Sequence, residues 1–554
     1  MKKTMKAVMF AGSLLLIILC GCGKTLGDQN SAVDTENNEN SGNAVITAPA
    51  SDTGDTKTQK EPADDKNTEE NGEEATLQKE PDYSGIATKS NGAGVSVHDP
   101  SIEVFDGKYY IYGSHMTCAV SEDMAAWKWL GKSYGSKNSV YGAIFDNKEA
   151  YAYSGLKTSV IPTDDGNIHV WAPDVIYNKA MQKYVMYFCM SSTWNASNLC
   201  FATADSPEGP FEWQGALIYS GFSSQNISST NVLDYVTPEW ATRYTAGGYN
   251  YRKYPNAIDP TIFYDADGRM WMVYGSWSGG IFLLEIDEKT GLVIHPKADE
   301  EGNVDPYFGK KLAGGNHRSI EGPYIHYEED TGYYYLYVSY GGLTRTGGYQ
   351  IRVLRSENVD GPYVDPQGNT LMDRAVHSEY GLKLSGNYFL PSQKDAYMAT
   401  GGQSLFKDID GKTYICYHAR FESKGEYHEP VVKQVLYNEE GWPCLLPYKT
   451  SKETVSETGY AADEITGDYY FVDQGSAIDS KIAMPLMIRL NKDGSITGAF
   501  SGNWSIKDGS YHMHITVDGK DFSGVFCKQK DMAGTEVMTF SAVGGLESVY
   551  GVKY

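Results

Sequence analysis

Three carboxylates in this chain stand beside a proline or a Gly-Pro pair at the start of an apolar stretch: Val97-His-Asp99-Pro, Ile258-Asp259-Pro and Ile320-Glu321-Gly-Pro. Ala172-Pro173-Asp174 and Gly402-Gln403-Ser404 offer two related starts. Carboxylic acids held together can divide acid/base work, one taking a proton from water while another, still protonated, gives one to a leaving group. A single Asp before Pro is an ordinary turn former. Three acids at recurring positions call for a common cause.

The elements that would position them also recur. Five times a turn leads into alternating aromatic and aliphatic residues closed by a small one: Asp106-Gly-Lys-Tyr-Tyr-Ile-Tyr-Gly-Ser114, Lys183-Tyr-Val-Met-Tyr-Phe-Cys189, Gly268-Arg-Met-Trp-Met-Val-Tyr-Gly-Ser276, Gly332-Tyr-Tyr-Tyr-Leu-Tyr-Val-Ser339 and Gly411-Lys-Thr-Tyr-Ile-Cys-Tyr-His-Ala419. The intervals of roughly 60 to 90 residues suit one four-stranded antiparallel sheet per copy, which predicts an all-β, five-bladed β-propeller. Innermost strands line a propeller's central channel, so Asp99, Asp259 and Glu321 are expected to face one pocket. Asp174, one residue past its proline, is expected to be turned away by strand alternation and to be structural.

Turn signals such as Asp267-Gly268, Asp410-Gly411 and Glu440-Gly441 separate alternating runs, with no sustained helical period. Asp205-Ser-Pro-Glu-Gly-Pro-Phe211 echoes Glu357-Asn-Val-Asp-Gly-Pro-Tyr363, a turn before an edge strand. The propeller is expected over 84–448. From 449 to 554 a polar link and then short strands with Asp-Gly turns predict an accessory β-barrel or sandwich without acids of this kind.

A net charge of −24 argues against nucleic acid and against anionic polymers as direct ligands, since both gain affinity from Lys and Arg. Neutral polysaccharide suits a chain with 43 tyrosines, although most of these lie in the strand phrases, where packing explains them. Cys118, Cys189, Cys200, Cys416, Cys444 and Cys527 show no metal-ligand spacing, so buried thiols are expected, with Cys189 and Cys200 as the one pair placed for a hairpin disulfide.

The first 22 residues read as a secretory signal: charged Met1-Lys-Lys-Thr-Met-Lys, an apolar run too short to span a membrane, then Leu19-Cys-Gly-Cys22. These last four resemble a bacterial lipobox, which makes Cys22 the lipidated residue and implies a lipoprotein on the outer face of the cell membrane, with plain secretion as the alternative. Residues 23–83 lack aromatic residues until Tyr83 and are rich in acids, about 15 against about 5 lysines from Lys24 to Asp82, the composition of a disordered tether.

His98-Asp-Pro-Ser, Trp171-Ala-Pro-Asp174, Ala257-Ile-Asp-Pro-Thr261, Ser319-Ile-Glu-Gly-Pro-Tyr324 and Tyr417-His-Ala-Arg420 together resemble glycoside hydrolase family 43, most closely its endo-α-1,5-L-arabinanases with a C-terminal β domain. The resemblance implies inverting hydrolysis of arabinan, with Asp99 as general base, Glu321 as general acid and Asp259 orienting the acid and raising its pKa. It also implies a metal, usually calcium, held at His418 largely through waters. Taken alone, His418 reads as a buried, hydrogen-bonded histidine. Gln403 is expected to help orient waters there.

Trp171 is a stacking platform or a blade-packing residue. His98 hydrogen-bonds within the site, and Asn198 and Trp277, expected on loops, are further substrate candidates. His317 and Arg318 either contact substrate or solvate a loop. Two rival readings remain: an exo-acting α-L-arabinofuranosidase or β-xylosidase on the same scaffold, and a non-catalytic lipoprotein that captures oligosaccharides. A monomer is expected.

Overall fold

The computed structural model describes residues 81–554 except 91, 133–137, 142–143, 145–152, 155–169, 192–195 and 301. The signal segment, Cys22 and nearly all of the tether lie outside the described residues.

Five antiparallel sheets follow one another along the chain. Their innermost strands are Ser101–Phe105, Val170–Asn178, Thr261–Tyr264, Ile320–Glu328 and Tyr397–Lys407. The five aromatic phrases supply the second strands, Lys108–Gly113, Lys183–Ser191, Met270–Tyr274, Tyr333–Tyr340 and Thr413–Phe421. Blades I, II, IV and V have four strands, and blade III carries two short additional ones. The five-bladed propeller expected from the repeats is therefore the observed fold.

The second strand of each blade buries both faces because each blade packs on two neighbours. In blade II, Val185 and Tyr187 pack towards blade III, beside Ile262, Met272 and Tyr274, while Met186 and Phe188 pack towards blade I, beside Tyr112 and Cys118. Burial on both sides explains phrases with scarcely a polar residue. Tyrosine fits this role because its ring fills the space between blades while its hydroxyl reaches an acceptor: Tyr112 donates to Pro207 O (2.6 Å), Tyr187 to Gly291 O (2.9 Å) and Tyr324 to Leu405 O (2.7 Å). Blade V closes on blade I through side chains, with Ser404 Oγ donating to Pro100 O (2.6 Å) and accepting from Ile102 N–H (3.0 Å).

The connection into blade III carries the one eight-residue helix among the described residues, Pro238–Thr245, started by Thr237, whose side chain accepts from Trp240 N–H. Residues 467–553 form a closed eight-stranded barrel, its first strand Gly467–Asp473 pairing with its last, Glu547–Lys553. The barrel is continuous with the propeller: Val525, Tyr550 and Val552 share one core with Tyr388 and Tyr417 of the blade IV–V region. Buried Lys383 also donates to Gln474 O (2.9 Å) and Ala477 O (3.0 Å). The six cysteines within the described residues are buried and free, and Cys189 faces Leu199 across its hairpin rather than Cys200, so the disulfide does not form.

Candidate active site

One backbone feature repeats around the channel. Asp99, Ala172, Asp259, Gly322 and Gly402 all have positive φ, between 42° and 58°, and the first four precede a proline. These five residues line one cavity together with the next layer, Ser101, Asp174, Thr261, Tyr324 and Ser404. The fivefold position is thus Asp99, Asp259 and Gly322, and Glu321 lies one residue earlier than its apparent counterparts. The left-handed kink falls just before the inner strand at Asp99 and Asp259 and within it at Ala172, Gly322 and Gly402; such strain in non-glycine residues is characteristic of functional sites.

Asp174 corrects the alternation argument. Two residues beyond Ala172, it shares that residue's face and points into the channel one layer below Asp99. Its oxygens accept from Ser101 Oγ (2.6 Å) and Ile262 N–H (2.6 Å), tying blade II to blades I and III. Burial pushes its pKa up to about 6.

Asp99 Oδ2 contacts His98 Nδ1 (2.7 Å) and accepts from Ser114 Oγ (2.6 Å). Burial alone would raise its pKa, but the charge and hydrogen bond of His98 and the bond from Ser114 outweigh it and hold the group below its ordinary 3.8. His98 therefore serves Asp99, and its ring stacks on His418 at 4.0 Å.

Glu321 is held by three donors. Tyr349 Oη reaches Oε1 (2.9 Å), while Ser276 Oγ (3.0 Å) and Trp277 Nε1 (2.9 Å) reach Oε2. Burial raises its pKa, the Tyr349 bond opposes this, the charge of Asp99 adds to the rise, and the other two bonds oppose it; the net direction is upward. Asp259 is raised well above its ordinary value, first by burial and then by the charges of Glu321 and Asp99. Asp259 meets Glu321 through the backbone, accepting from Gly322 N–H at 3.2 Å. Two acids with raised pKa values beside one that stays ionised make a set able to hold and deliver a proton.

His418 is fully buried. Its Nδ1 accepts from Asp99 N–H at 3.3 Å and lies 3.7 Å from Asp99 Oδ1, while Nε2 is buried with no hydrogen-bond partner. Burial, followed by the charges of His98, Arg420 and His428, holds its pKa well below 6.5, so the ring is neutral. Ligand atoms of His98, Asp99 and His418 lie within 4.8 Å of one another. One carboxylate and two imidazoles fall far short of the six to eight oxygens calcium prefers, so this donor set suits a cation that keeps most of its waters. Gln403 is engaged by protein, accepting from Ser339 Oγ (3.0 Å) and donating to Gly322 O (2.7 Å).

The remaining candidates divide. Trp171 is half-buried, with Nε1 donating to Ser191 O (3.0 Å) and its ring edge-on to His115 at 4.4 Å. Trp277 binds the acid. Asn198 is corrected: it lies within the strand Ser197–Ala204, not on a loop, and at 0% exposure offers a substrate no surface. Ser114, Ser276, Tyr349 and His428 were not singled out from sequence. Ser114 and Ser276, with Ser339, are the residues that close three of the repeated phrases, a signal that was present in the repeat itself.

A family model described as glycosyl hydrolases family 43 matches residues 93–443, and one described as a C-terminal lipocalin-like domain matches 447–551. The chain is 37% identical over 479 residues to extracellular endo-alpha-(1->5)-L-arabinanase 2 of Bacillus subtilis, covering 83% of this chain and 93% of that protein. It is also 37% identical over 475 residues to the extracellular endo-alpha-(1->5)-L-arabinanase of Thermotoga petrophila, covering 82% and 93%. A crystal structure of endo-1,5-alpha-L-arabinanase from Thermotoga petrophila superposes with a TM-score of 0.72 at 36% identity, over 85% of this chain and all of that one.

Proposed function

The chain belongs to glycosyl hydrolases family 43, and from that premise we propose that it is an extracellular endo-α-1,5-L-arabinanase that cuts arabinan by an inverting acid/base mechanism. The observation that carries this reading is the unequal setting of three acids at one channel: Asp99 is bonded by His98 and Ser114 and lowered in pKa, while Glu321, gripped by Tyr349, Ser276 and Trp277, and Asp259 are raised by burial. Relatives that share both the propeller and the C-terminal domain bear the endo-arabinanase name, which favours endo over exo action.

In this mechanism Asp99 takes a proton from water as the water oxygen attacks the anomeric carbon. Glu321 gives its proton to the departing glycosidic oxygen, and the bond from sugar to that oxygen breaks. Solvent then removes the proton from Asp99 and returns one to Glu321. His98 and Ser114 keep Asp99 ionised. Asp259 fixes the Glu321 backbone through Gly322 N–H, while burial and the charge of Asp99 hold the pKa of the acid above its ordinary value. Calcium, the metal proposed here, would be held by His418 and waters and would supply positive charge beside Asp99. Trp171 is proposed as a stacking face for a sugar ring. Lipid anchoring at Cys22 and a monomeric state are further parts of the proposal.

Proton NMR during the first minutes of hydrolysis tests the mechanism. The inverted anomer is expected first, and initial retention of configuration refutes the assignment of Asp99 as base.

A further inference from the structure

The chain carries a net charge of −24, yet one edge of the site is cationic. Arg252 and Lys253 lie on the connection into blade III, Arg318 precedes Glu321 by three residues, and Arg374 lies on the loop before the last strand of blade IV. Two backbone hydrogen bonds and one from a side chain gather these segments: Asn316 N–H donates to Arg252 O (3.2 Å), His317 N–H to Ser278 O (2.9 Å) and Asn316 Nδ2 to Asp373 O (2.9 Å). The same loops reach the acid. Trp277 N–H donates to Ile320 O (2.7 Å), and the Trp277 ring, which bonds Glu321, lies 5.5 Å from that of His317.

Among the described residues none of the four cations forms an ion pair. Nearby Asp373 is already taken by Lys311, and Asp305, which feels the charge of Lys253, is itself bonded to Tyr244 Oη and to the N–H groups of Tyr307 and Phe308. Lys253 rests 5.4 Å over Tyr254, and Arg374 lies 4.5 Å over Tyr380 while donating to Thr370 O (2.9 Å); both contacts hold a side chain without neutralising it. Arg318 is half-buried, and its Nε is buried with no hydrogen-bond partner. A guanidinium is a planar fork of N–H donors whose geometry matches a carboxylate.

We propose that this rim is a subsite for a carboxylate-bearing sugar, a uronate unit carried on the same polymer as the neutral furanoside chain that enters the cleft. The proposal rests on the arabinan reading of the site. It also qualifies the argument from composition: the chain as a whole repels polyanions, while the edge nearest Glu321 attracts one.

The opposed charges give the test a sign. Salt weakens a local attraction, whereas it strengthens binding that is limited by repulsion from the whole chain. Calorimetric titration of the full chain would use a galacturonate trisaccharide at about 20 and about 200 mM salt. Inorganic phosphate and arabinotriose serve as further probes, on wild type and Arg252→Gln/Arg318→Gln. The trisaccharide is expected to bind, to weaken at the higher salt and to lose about tenfold in the double variant. Affinity that rises with salt, affinity unchanged in the variant, or phosphate binding as tightly as the saccharide each overturns the proposal. Failure of wild type to bind arabinotriose overturns the arabinan reading itself, and with it the shared polymer.

Discussion

Tyr349→Phe removes one hydrogen bond from the proposed general acid and leaves the surrounding packing in place. The Tyr349 ring stacks beside His418 at 5.7 Å and lies against Gly401, where any Cβ would overlap it, so Phe fits the same space. Tyr349 donates to Glu321 at 2.9 Å, and Ser276 and Trp277 remain as donors after the change. A hydrogen bond to a charged group is worth about 1.5–3 kcal/mol, and 1.36 kcal/mol corresponds to one pKa unit. Allowing for relaxation of the two remaining donors, Glu321 should rise by about one unit. This bond favours the carboxylate, so its loss favours the protonated acid, and the alkaline limb of kcat/KM moves to higher pH. The assay is kcat/KM on debranched arabinan across pH for wild type and variant, with thermal melts to confirm folding. An alkaline limb that stays in place or moves down refutes the assignment of Glu321 as the acid whose pKa Tyr349 restrains.

Gly402→Ala should cost activity by at least about 100-fold, since φ is +58° and the new Cβ would overlap Asp99 Oδ1 and press on His418 Nδ1; near-wild-type turnover would contradict the tight approach at the base. Glu103 stands at the far mouth of the channel, its pKa pushed up to about 8 by burial and then by the charge of Asp174. Because the folded value lies above the ordinary 4.5, stability is greatest with the proton bound and erodes as pH rises from 4.5 through 8. Partial exposure reduces the effect to about 1–2 kcal/mol, and Glu103→Gln should flatten the difference between melting temperatures at about pH 6 and 9. Ending the chain after Tyr448 bares core partners of Val525, Tyr550 and Val552, each worth about 1.5–3 kcal/mol; the truncated chain should be insoluble, and a soluble, fully active fragment would show that the barrel is dispensable.

The propeller was legible because its repeat is written in residues that pack between blades, and burial on both faces leaves an unmistakable apolar, tyrosine-rich phrase. The acids were legible because a kinked backbone before proline recurs with them. What escaped was register. Glu321 looks equivalent to Asp99 until φ shows that Gly322 holds the matching place. Counting from Pro173 puts Asp174 outside the channel, whereas the count begins at Ala172, where the kink resets the alternation. Tyr349 and His428 come from third strands or the segments leading into them, far in sequence from Glu321, which Tyr349 bonds, and from His98 and His418, which the His428 ring packs against. Trp277 reads as a substrate candidate from sequence, because no spacing rule reveals that an indole on one loop reaches a carboxylate on the next strand.

The most direct test of the central claim is a product time course on debranched linear arabinan, wild type beside Glu321→Gln, with viscosity followed in parallel. A ladder of arabino-oligosaccharides and an early fall in viscosity, both lost in the variant, is the predicted result. Release of arabinose alone, or turnover that survives in Glu321→Gln, would contradict it.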